Sequence, residues 1–373
     1  MAATLRTGLR ILPRGPGEVQ IGTDPRWAVR VTDLLDDEVA ALLAHPPAAP
    51  LGLLAADERL SPTRLAALIQ QLDEARLLLP DPPPREPSGP AAADAAVLTL
   101  TLPAGTGADV VAARRDRCVG VVGLGRTGLG VALALACAGV GRLRLEDDRP
   151  VRSSDVGPAG YGWADVGMPR CRAAARVVAD AVPGAEVPGG ALGPAPTAGG
   201  PTGRGLDLLL VVADGALDPG LGVGLLAAGT PHLPIVLREA DVLVGPLVVG
   251  GDGPCARCLD LHRADADPGW PATAAALAAP PAASPEPVVV ASVAAGLAAA
   301  AALTFLDDVR THPAGPGSPR PLRGVTLEVR LPDAVPRERR WAVHPACGCT
   351  ALSASSGGSA RSYGPAGTVR PGA

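Results

Sequence analysis

A chain of 373 residues has room for one large domain and a smaller one, since domains typically hold about 100 to 200 residues. Hydrophobic residues make up 47% of the chain but aromatics only 2%, so a core must be built from Val, Leu and Ala, and base-stacking platforms for nucleic acid are improbable. A formal net charge of -4 argues against a generally basic surface for nucleic acid or acidic membranes, and the absence of lysine leaves every cationic role to Arg.

Met1 to Pro13 carries Arg but no sustained apolar run, so it does not read as a signal peptide. Short strand-like pieces follow at Glu18–Gly22 and Trp27–Val31. Two helices are then expected. One comes after Asp33 and carries Leu34, Leu35, Val39, Leu42 and Leu43. The other is announced by Ser61 as N-cap and Pro62 at the first helical position, with Leu65, Leu68, Ile69 and Leu72 at helical spacing. Arg76–Pro80 suits a short strand or wing. Residues 1–80 thus read as a small winged-helix-like α+β domain suited to binding a peptide.

The Pro-rich run Pro80–Pro90 reads as a linker, and residues 81–117 as linker and lead-in, with a strand expected at Ala96–Leu102 and then a helix ending near Arg117. From Cys118 strands and helices alternate. Val119–Val122 is a buried strand, Thr127–Ala138 a helix stopped by Gly139, Leu143–Glu146 a strand, Arg170–Val182 a helix, and Leu206–Val212 a fully apolar strand. This alternation predicts an α/β domain with a doubly wound, Rossmann-like, mostly parallel sheet. The Gly- and Pro-rich stretches Pro183–Gly205 and Ala272–Pro287 read as loops, and the Ser- and Gly-rich residues 351–373 as a disordered tail.

Val288–Leu306 is uncharged and of bilayer-spanning length. Ala dominates it and Ser292, Gly296 and Thr304 interrupt it, so a buried helix is the better reading than a membrane span.

Gly123, Gly125 and Gly128 form Gly-x-Gly-x-x-Gly directly after the apolar strand and at the mouth of a helix. The first allows a tight turn, the second lets backbone approach a phosphate, and the third lets helix pack on strand. Asp147, at the end of the next strand, is placed to accept hydrogen bonds from ribose hydroxyls. The motif does not separate ATP from NAD.

Four of the seven cysteines come in pairs, Cys255/Cys258 and Cys347/Cys349. Four thiolates make a closed tetrahedral zinc site whose usual job is to clip distant segments together, and His344 is a possible substitute ligand. Paired cysteines in a chain of this length fit a reduced cytoplasm better than a secreted disulfide framework. Cys118, Cys137 and Cys171 read as buried, inert thiols. Asp260, His262, Asp265 and Asp267 read as a solvated acidic loop beside the zinc clip.

Taken in order, the glycine loop, Gly139–Asp147, Asp165–Arg172, Asp214 after an apolar strand, and the cysteine pairs resemble the ThiF/MoeB family, which includes ubiquitin-activating enzymes. The resemblance covers residues 118–350 and implies a ThiF-like nucleotide-binding domain. Family members bind ATP and adenylate the C-terminal carboxylate of a small protein or peptide, usually as homodimers. Carried over, Gly123, Gly125 and Gly128 would line the phosphates, Asp147 would hold the ribose, Asp214 would face magnesium and the triphosphate, and Arg170 stands where the family has a phosphate-binding lysine.

The departures concern charge. Where the family reads Asn-Leu-x-Arg, this chain has Asp155 through Pro158, so an arginine that would neutralise developing phosphate charge is missing. Gly215 replaces a frequent Asn, and only Arg149 or Arg152 is near enough in sequence to substitute for the arginine.

Three functions follow. One is an ATP-dependent adenylyltransferase (a nucleotidyltransferase with catalytic Asp214 and Arg170, using magnesium, with structural zinc) acting on a small protein or precursor peptide. The second is a scaffold that keeps the fold, has lost adenylation, binds a leader peptide and presents it to a partner modifying enzyme. It resembles the ThiF-like proteins of peptide natural-product pathways that carry a small leader-binding domain. The third, a NAD-dependent oxidoreductase, rests on the glycine loop alone and leaves the cysteine pairs unexplained.

Overall fold

The structure is a computed structural model, and it describes residues 3–46, 49–56, 59–79, 87–102, 106–158, 160–188, 205–277, 284–311 and 322–350. The elements in chain order are β1 (Ile11–Gly15), β2 (Glu18–Ile21), β3 (Val29–Val31), α1 (Asp36–Ala44), α2 (Pro62–Glu74), α3 (Ala92–Thr101), α4 (Gly107–Arg114), β4 (Cys118–Val122), α5 (Arg126–Cys137), β5 (Arg142–Glu146) and α6 (Arg170–Ala181). They continue with β6 (Leu208–Asp214), α7 (Pro219–Ala227), β7 (His232–Leu237), β8 (Asp241–Val244), α8 (Ala256–Ala266), α9 (Trp270–Leu277), α10 (Val288–Thr311), β9 (Val325–Arg330) and β10 (Arg337–Arg340). The chain divides into two compact units, Met1–Leu192 with Ala295–Pro321, and Gly193–Ala294 with Leu322–Ala373.

The first unit begins with an antiparallel sheet of order β1-β2-β3. Val19 and Ile21 alternate on β2 and are fully buried, which fixes its register because a one-residue slip would turn both to solvent. They pack in one cluster with Leu42 of α1 and Leu65, Leu68 and Leu72 of α2, the predicted helical stripe. Ser61 caps α2 by accepting the Arg64 N–H at 3.3 Å, with Pro62 at the first position, as its sequence requires. The strands precede both helices, and the stretch after α2 contributes a single bridge, Leu5 to Leu78, in place of the expected wing strand.

Residues 96–101, expected as a strand, belong to helix α3. The cause is a close approach of backbones that sequence periodicity does not reveal. A Cβ on Gly107 would lie 1.9 Å from the Ala95 carbonyl oxygen, so glycine lets α4 press against α3. Thr99 locks the contact, donating to the Ala95 carbonyl at 2.8 Å and accepting the Gly107 N–H at 2.8 Å.

Strands β4 and β5 pair in parallel across the crossover helix α5, with Cys118 opposite Arg142 and Val122 opposite Glu146. In the second unit β6 and β7 are also parallel, whereas β7–β8, β8–β9 and β9–β10 are antiparallel. The link from Leu237 to Asp241 is far shorter than the dozen or so residues a parallel crossover needs, so β8 must return antiparallel. The chain is therefore mixed α/β, with its parallel pairs where strands and helices alternate.

Helix α10 is long and apolar enough to cross a membrane by length and composition. Its buried residues, Val290, Ala291, Ala294, Ala295, Ala298, Ala299 and Ala302, recur at helical spacing, while Ser292 and Gly296 lie on the exposed side. Such one-sided burial is that of a core helix. Helix α9 runs into the stretch Ala272–Pro287 expected to be loop, because half of the run from Trp270 to Leu277 is Ala, the strongest helix former, with Pro271 in the first turn. The tail 351–373, the linker portion 80–86 and the loop portions 189–204 and 278–283 lie outside the described residues.

Candidate functional site

The glycine loop connects β4 to α5 in the predicted way. Gly123 has φ +81°, a conformation side chains rarely adopt, and Gly125 is the N-cap residue of α5, where the helix begins without a side-chain cap. Gly128 is buried within the first turn. Two separate chain segments hold the loop, the end of β5 and the stretch at Tyr161. The Gly123 N–H bonds to the Glu146 carbonyl at 3.0 Å, the Leu124 N–H to Asp147 Oδ2 at 2.8 Å, and the Tyr161 hydroxyl donates to the Leu124 carbonyl at 2.8 Å. Burial pushes the Tyr161 phenol upward, so it stays a neutral donor.

Asp147 sits where it was expected, but it is not open. Its Oδ1 accepts the Arg149 backbone N–H at 3.0 Å and Arg149 Nε at 2.9 Å, and its Oδ2 accepts Arg149 Nη2 at 3.0 Å and Arg170 Nη1 at 3.1 Å besides Leu124. Burial alone would raise this carboxyl. The Arg149 guanidinium, the Leu124 N–H and Arg170 together hold it below the usual aspartate range.

Arg170, the substitute for the family lysine, opens α6 and is only 3% exposed. Its Nε and Nη2 reach Asp155 Oδ2 at 3.0 and 2.7 Å while Nη1 holds Asp147. Burial opposes its charge, and the two carboxylates raise it again above its ordinary value. Asp155 also accepts the Arg152 N–H at 2.9 Å and so caps the short 3-10 turn Ser153–Asp155. Asp155 for Asn and Arg170 for Lys thus compensate one another: the added negative charge is met by a forked cation that binds two carboxylates at once.

Neither Arg149 nor Arg152, the cations that sequence proximity suggested, takes the place of the missing family arginine. Arg149 is turned onto Asp147, and Arg152 is exposed with only its backbone recorded in this network. The guanidinium beside the Gly157–Pro158 turn is that of Arg126, first residue of α5, which donates to the Ser154 carbonyl at 2.5 Å and the Val156 carbonyl at 2.7 Å. Its position inside the glycine motif was the only sequence signal for it.

Asp214 ends β6 in the second unit, followed by Gly215 at φ +73°, and its Oδ1 accepts the Ser284 N–H at 2.9 Å. Of the predicted nucleotide residues, the glycines, Asp147 and Arg170 meet in the first unit and Asp214 belongs to the second.

The four paired cysteines converge in the second unit, all buried, with their sulfurs within 4.8 Å of one another. Cys255 to Cys347 is 3.7 Å, Cys258 to Cys349 3.5 Å and Cys255 to Cys258 3.9 Å. A tetrahedron with metal–sulfur bonds of about 2.3 Å has edges of about 3.8 Å, so the donor set fits zinc. Burial pushes the Cys255 thiol up to about 11, whereas backbone and thiol hydrogen bonds outweigh burial at Cys258 and hold it below its ordinary value. His344 stands outside the four-sulfur group: its Nε2 meets Asp265 Oδ2 at 2.8 Å and its Nδ1 accepts the Ala346 N–H at 3.1 Å. Zinc held by these four sulfurs would clip α8 to the segment after β10 and leave no open coordination position for catalysis.

The acidic stretch beside the clip is structured helix rather than solvated loop. Asp260, His262 and Asp265 lie on α8, where Asp260 accepts from Arg263 and from Trp270, and His262 Nε2 meets the Ala342 carbonyl at 3.0 Å. Burial raises the Cys137 thiol, as befits an inert residue.

Residues 102–191 match the model described as the ThiF family. The matched segment holds the glycine loop, Asp147 and Arg170. No curated protein matches the chain significantly in sequence. Among solved structures, E. coli MccB with MccA is 16% identical with a TM-score of 0.65, over 94% of this chain and 100% of that one. E. coli MccB with ATP is 15% identical with a TM-score of 0.63, over 94% and 100%. PaaA is 17% identical with a TM-score of 0.62, over 90% and 98%. At these identities the likeness is one of fold. It extends beyond the ThiF segment to nearly the whole chain.

Proposed function

We propose that the chain is a peptide-binding protein of ThiF fold that holds a precursor peptide for a partner modifying enzyme, and that its own nucleotide pocket is closed. One observation carries this reading. The carboxylate that the family resemblance assigns to ribose has both oxygens taken by Arg149, Arg170 and the Leu124 N–H. A ribose diol could reach Asp147 only by displacing Arg149, and Arg170 could turn to a phosphate only by abandoning two buried carboxylates. Pro158 removes the remaining family cation.

The peptide side of the proposal draws on the N-terminal α+β part, which has its own apolar core and an antiparallel sheet whose end strands are β1 and β3. End strands present backbone groups to which an extended peptide can add. That residues 1–80 act as a winged-helix-like leader-binding domain is part of the proposal, supported by the likeness to MccB, whose structures include complexes with MccA, one of them N-formylated. Cytoplasmic location and homodimeric assembly belong to it too. The first accords with seven cysteines free of disulfides.

A second reading, adenylation of a peptide C-terminus with ATP and magnesium, is favoured by the intact glycine turn at Gly123 and by the likeness to MccB with ATP. Nucleotide titration by calorimetry separates the two. The scaffold reading expects no ATP binding with magnesium present and precursor-peptide binding lost on deletion of residues 1–80. ATP binding together with pyrophosphate exchange would transfer support to the second.

A further inference from the structure

The second unit contains a cavity of about 960 Å³ that neither the nucleotide residues nor the cysteine clip use. This size is that of a small-ligand or short-peptide site. Its wall runs past Gly215–Leu217, directly after Asp214, and past Ser284.

The lining is built from scarce material. Two of the chain's four tryptophans, Trp270 and Trp341, face it, and they alternate with arginines in a ladder. The Arg263 guanidinium lies 4.9 Å from the Trp270 ring and 5.6 Å from the Trp341 ring, and Arg339 lies 4.8 Å from Trp341. Both indoles are oriented by hydrogen bonds: Trp270 Nε1 donates to Asp260 at 3.2 Å and Trp341 Nε1 to Thr326 Oγ1 at 3.0 Å. A guanidinium stacked on a fixed ring keeps its N–H edge free for a planar acceptor.

The three arginines of the wall differ in what they already hold. Arg238 is paired with Asp241 and Glu328, and Arg263 with Asp260 at 3.2 Å. Among the described residues Arg339 has no carboxylate partner and is exposed on β10. Burial lowers the Arg263 guanidinium and the Asp260 carboxylate raises it, while Arg238 and Arg339 add repulsion. Glu239, Asp260 and Glu328 also line the cavity and balance the three arginines in number. A polyphosphate would meet all three acids. A peptide segment bearing one carboxylate would meet Arg339 while its N–H groups face the acids.

We infer that this cavity binds a peptide segment through an acidic side chain received by Arg339 on its Trp341 support. The inference rests on the peptide-binding reading above and names the chemistry of the segment recognised.

The test uses the full chain and fluorescent tetrapeptides capped at both ends, of sequence Ala-Ala-Xaa-Ala with Xaa Glu, Gln or Lys, read by anisotropy. A charge-assisted bond to one guanidinium is expected to favour Glu over Gln by about tenfold or more. Arg339→Gln should abolish that preference and Arg339→Lys keep part of it. Trp341→Leu should weaken the preference while Arg339 remains. Equal binding of Glu and Gln, a preference that survives Arg339→Gln, or no binding of any probe would overturn the inference. Displacement of the Glu probe by inorganic pyrophosphate, more effective than by unlabelled Glu peptide, would overturn it in favour of a phosphate site. Precursor-peptide capture by residues 1–80 is measured separately, so either claim can fail alone.

Discussion

Arg170 and Asp155 form a buried ion pair, Nη2 to Oδ2 at 2.7 Å, with the side chains 3% and 7% exposed. The same guanidinium holds Asp147, so one cation joins the end of β5 to the turn before Pro158. Removing it takes the guanidinium from buried Asp155 and leaves buried Asp147 with Arg149 as its cation. Arg170→Ala should therefore destabilise the chain by about 3 to 5 kcal/mol in urea unfolding. Arg170→Lys should recover little, because a point charge cannot bridge both acids as the fork does. Equal stability of Arg170→Ala and wild type would remove the network from the account.

Arg149 makes the most accessible contact on Asp147, its side chain 43% exposed. Arg149→Ala should lower stability by about 1 to 2 kcal/mol, less than Arg170→Ala, since its own guanidinium is half-exposed although Asp147 is buried. It should also uncover Asp147 and produce binding of a fluorescent ATP analogue where wild type shows none. Failure to gain any binding would mean that Arg149 is not what closes the carboxylate.

Purified protein should contain one zinc per chain by metal analysis. Cys258→Ser or Cys349→Ser should lose it and lower the melting temperature, because a structural zinc contributes directly to folding. His344→Asn should keep full stoichiometry, since both ring nitrogens are already engaged. Zinc lost from His344→Asn with all four cysteines intact would contradict the four-sulfur site.

Buried groups, His232 and Asp147 among them, contribute to the response to acid. His232 lies buried with Nδ1 on the Thr230 carbonyl at 3.0 Å, and burial lowers its pKa. The folded state resists a proton that the unfolded state takes up near pH 6.5, so stability should fall as pH drops below about 6.5, with a slope of up to about 1.4 kcal/mol per pH unit. Asp147, depressed by its arginines, adds stability that is present above about pH 4 and is lost as pH falls through its lower folded value. Denaturant midpoints measured from pH 8 to about pH 2 check both signs. His232→Gln should flatten the upper part of the curve only.

The parts of the fold written in local chemistry were legible in sequence: the Ser61–Pro62 start of α2, the glycine turn at Gly123, the apolar strands β4 and β6, and the meeting of Cys255, Cys258, Cys347 and Cys349. What escaped depends on contacts between segments distant in the chain. Helix α3 is composed like a strand and becomes a helix against Gly107. The antiparallel return of β8 follows from a link too short for a crossover. In the site, spacing put Asp147 after β5 and Arg170 at the start of α6 but could not show that they would hold each other, nor that Asp155 would complete the pair. The Trp270–Arg263–Trp341–Arg339 ladder draws on three elements and one connecting segment, with no local motif to announce it.

The central claim is that Asp147 and Arg170 serve each other and Asp155 rather than a nucleotide. ATP–pyrophosphate exchange, measured with wild-type protein, magnesium and the precursor peptide, tests it most directly. The account predicts no exchange above the protein-free blank while the peptide remains bound. Peptide-dependent exchange by wild type that disappears in Asp214→Ala would contradict it and establish adenylation.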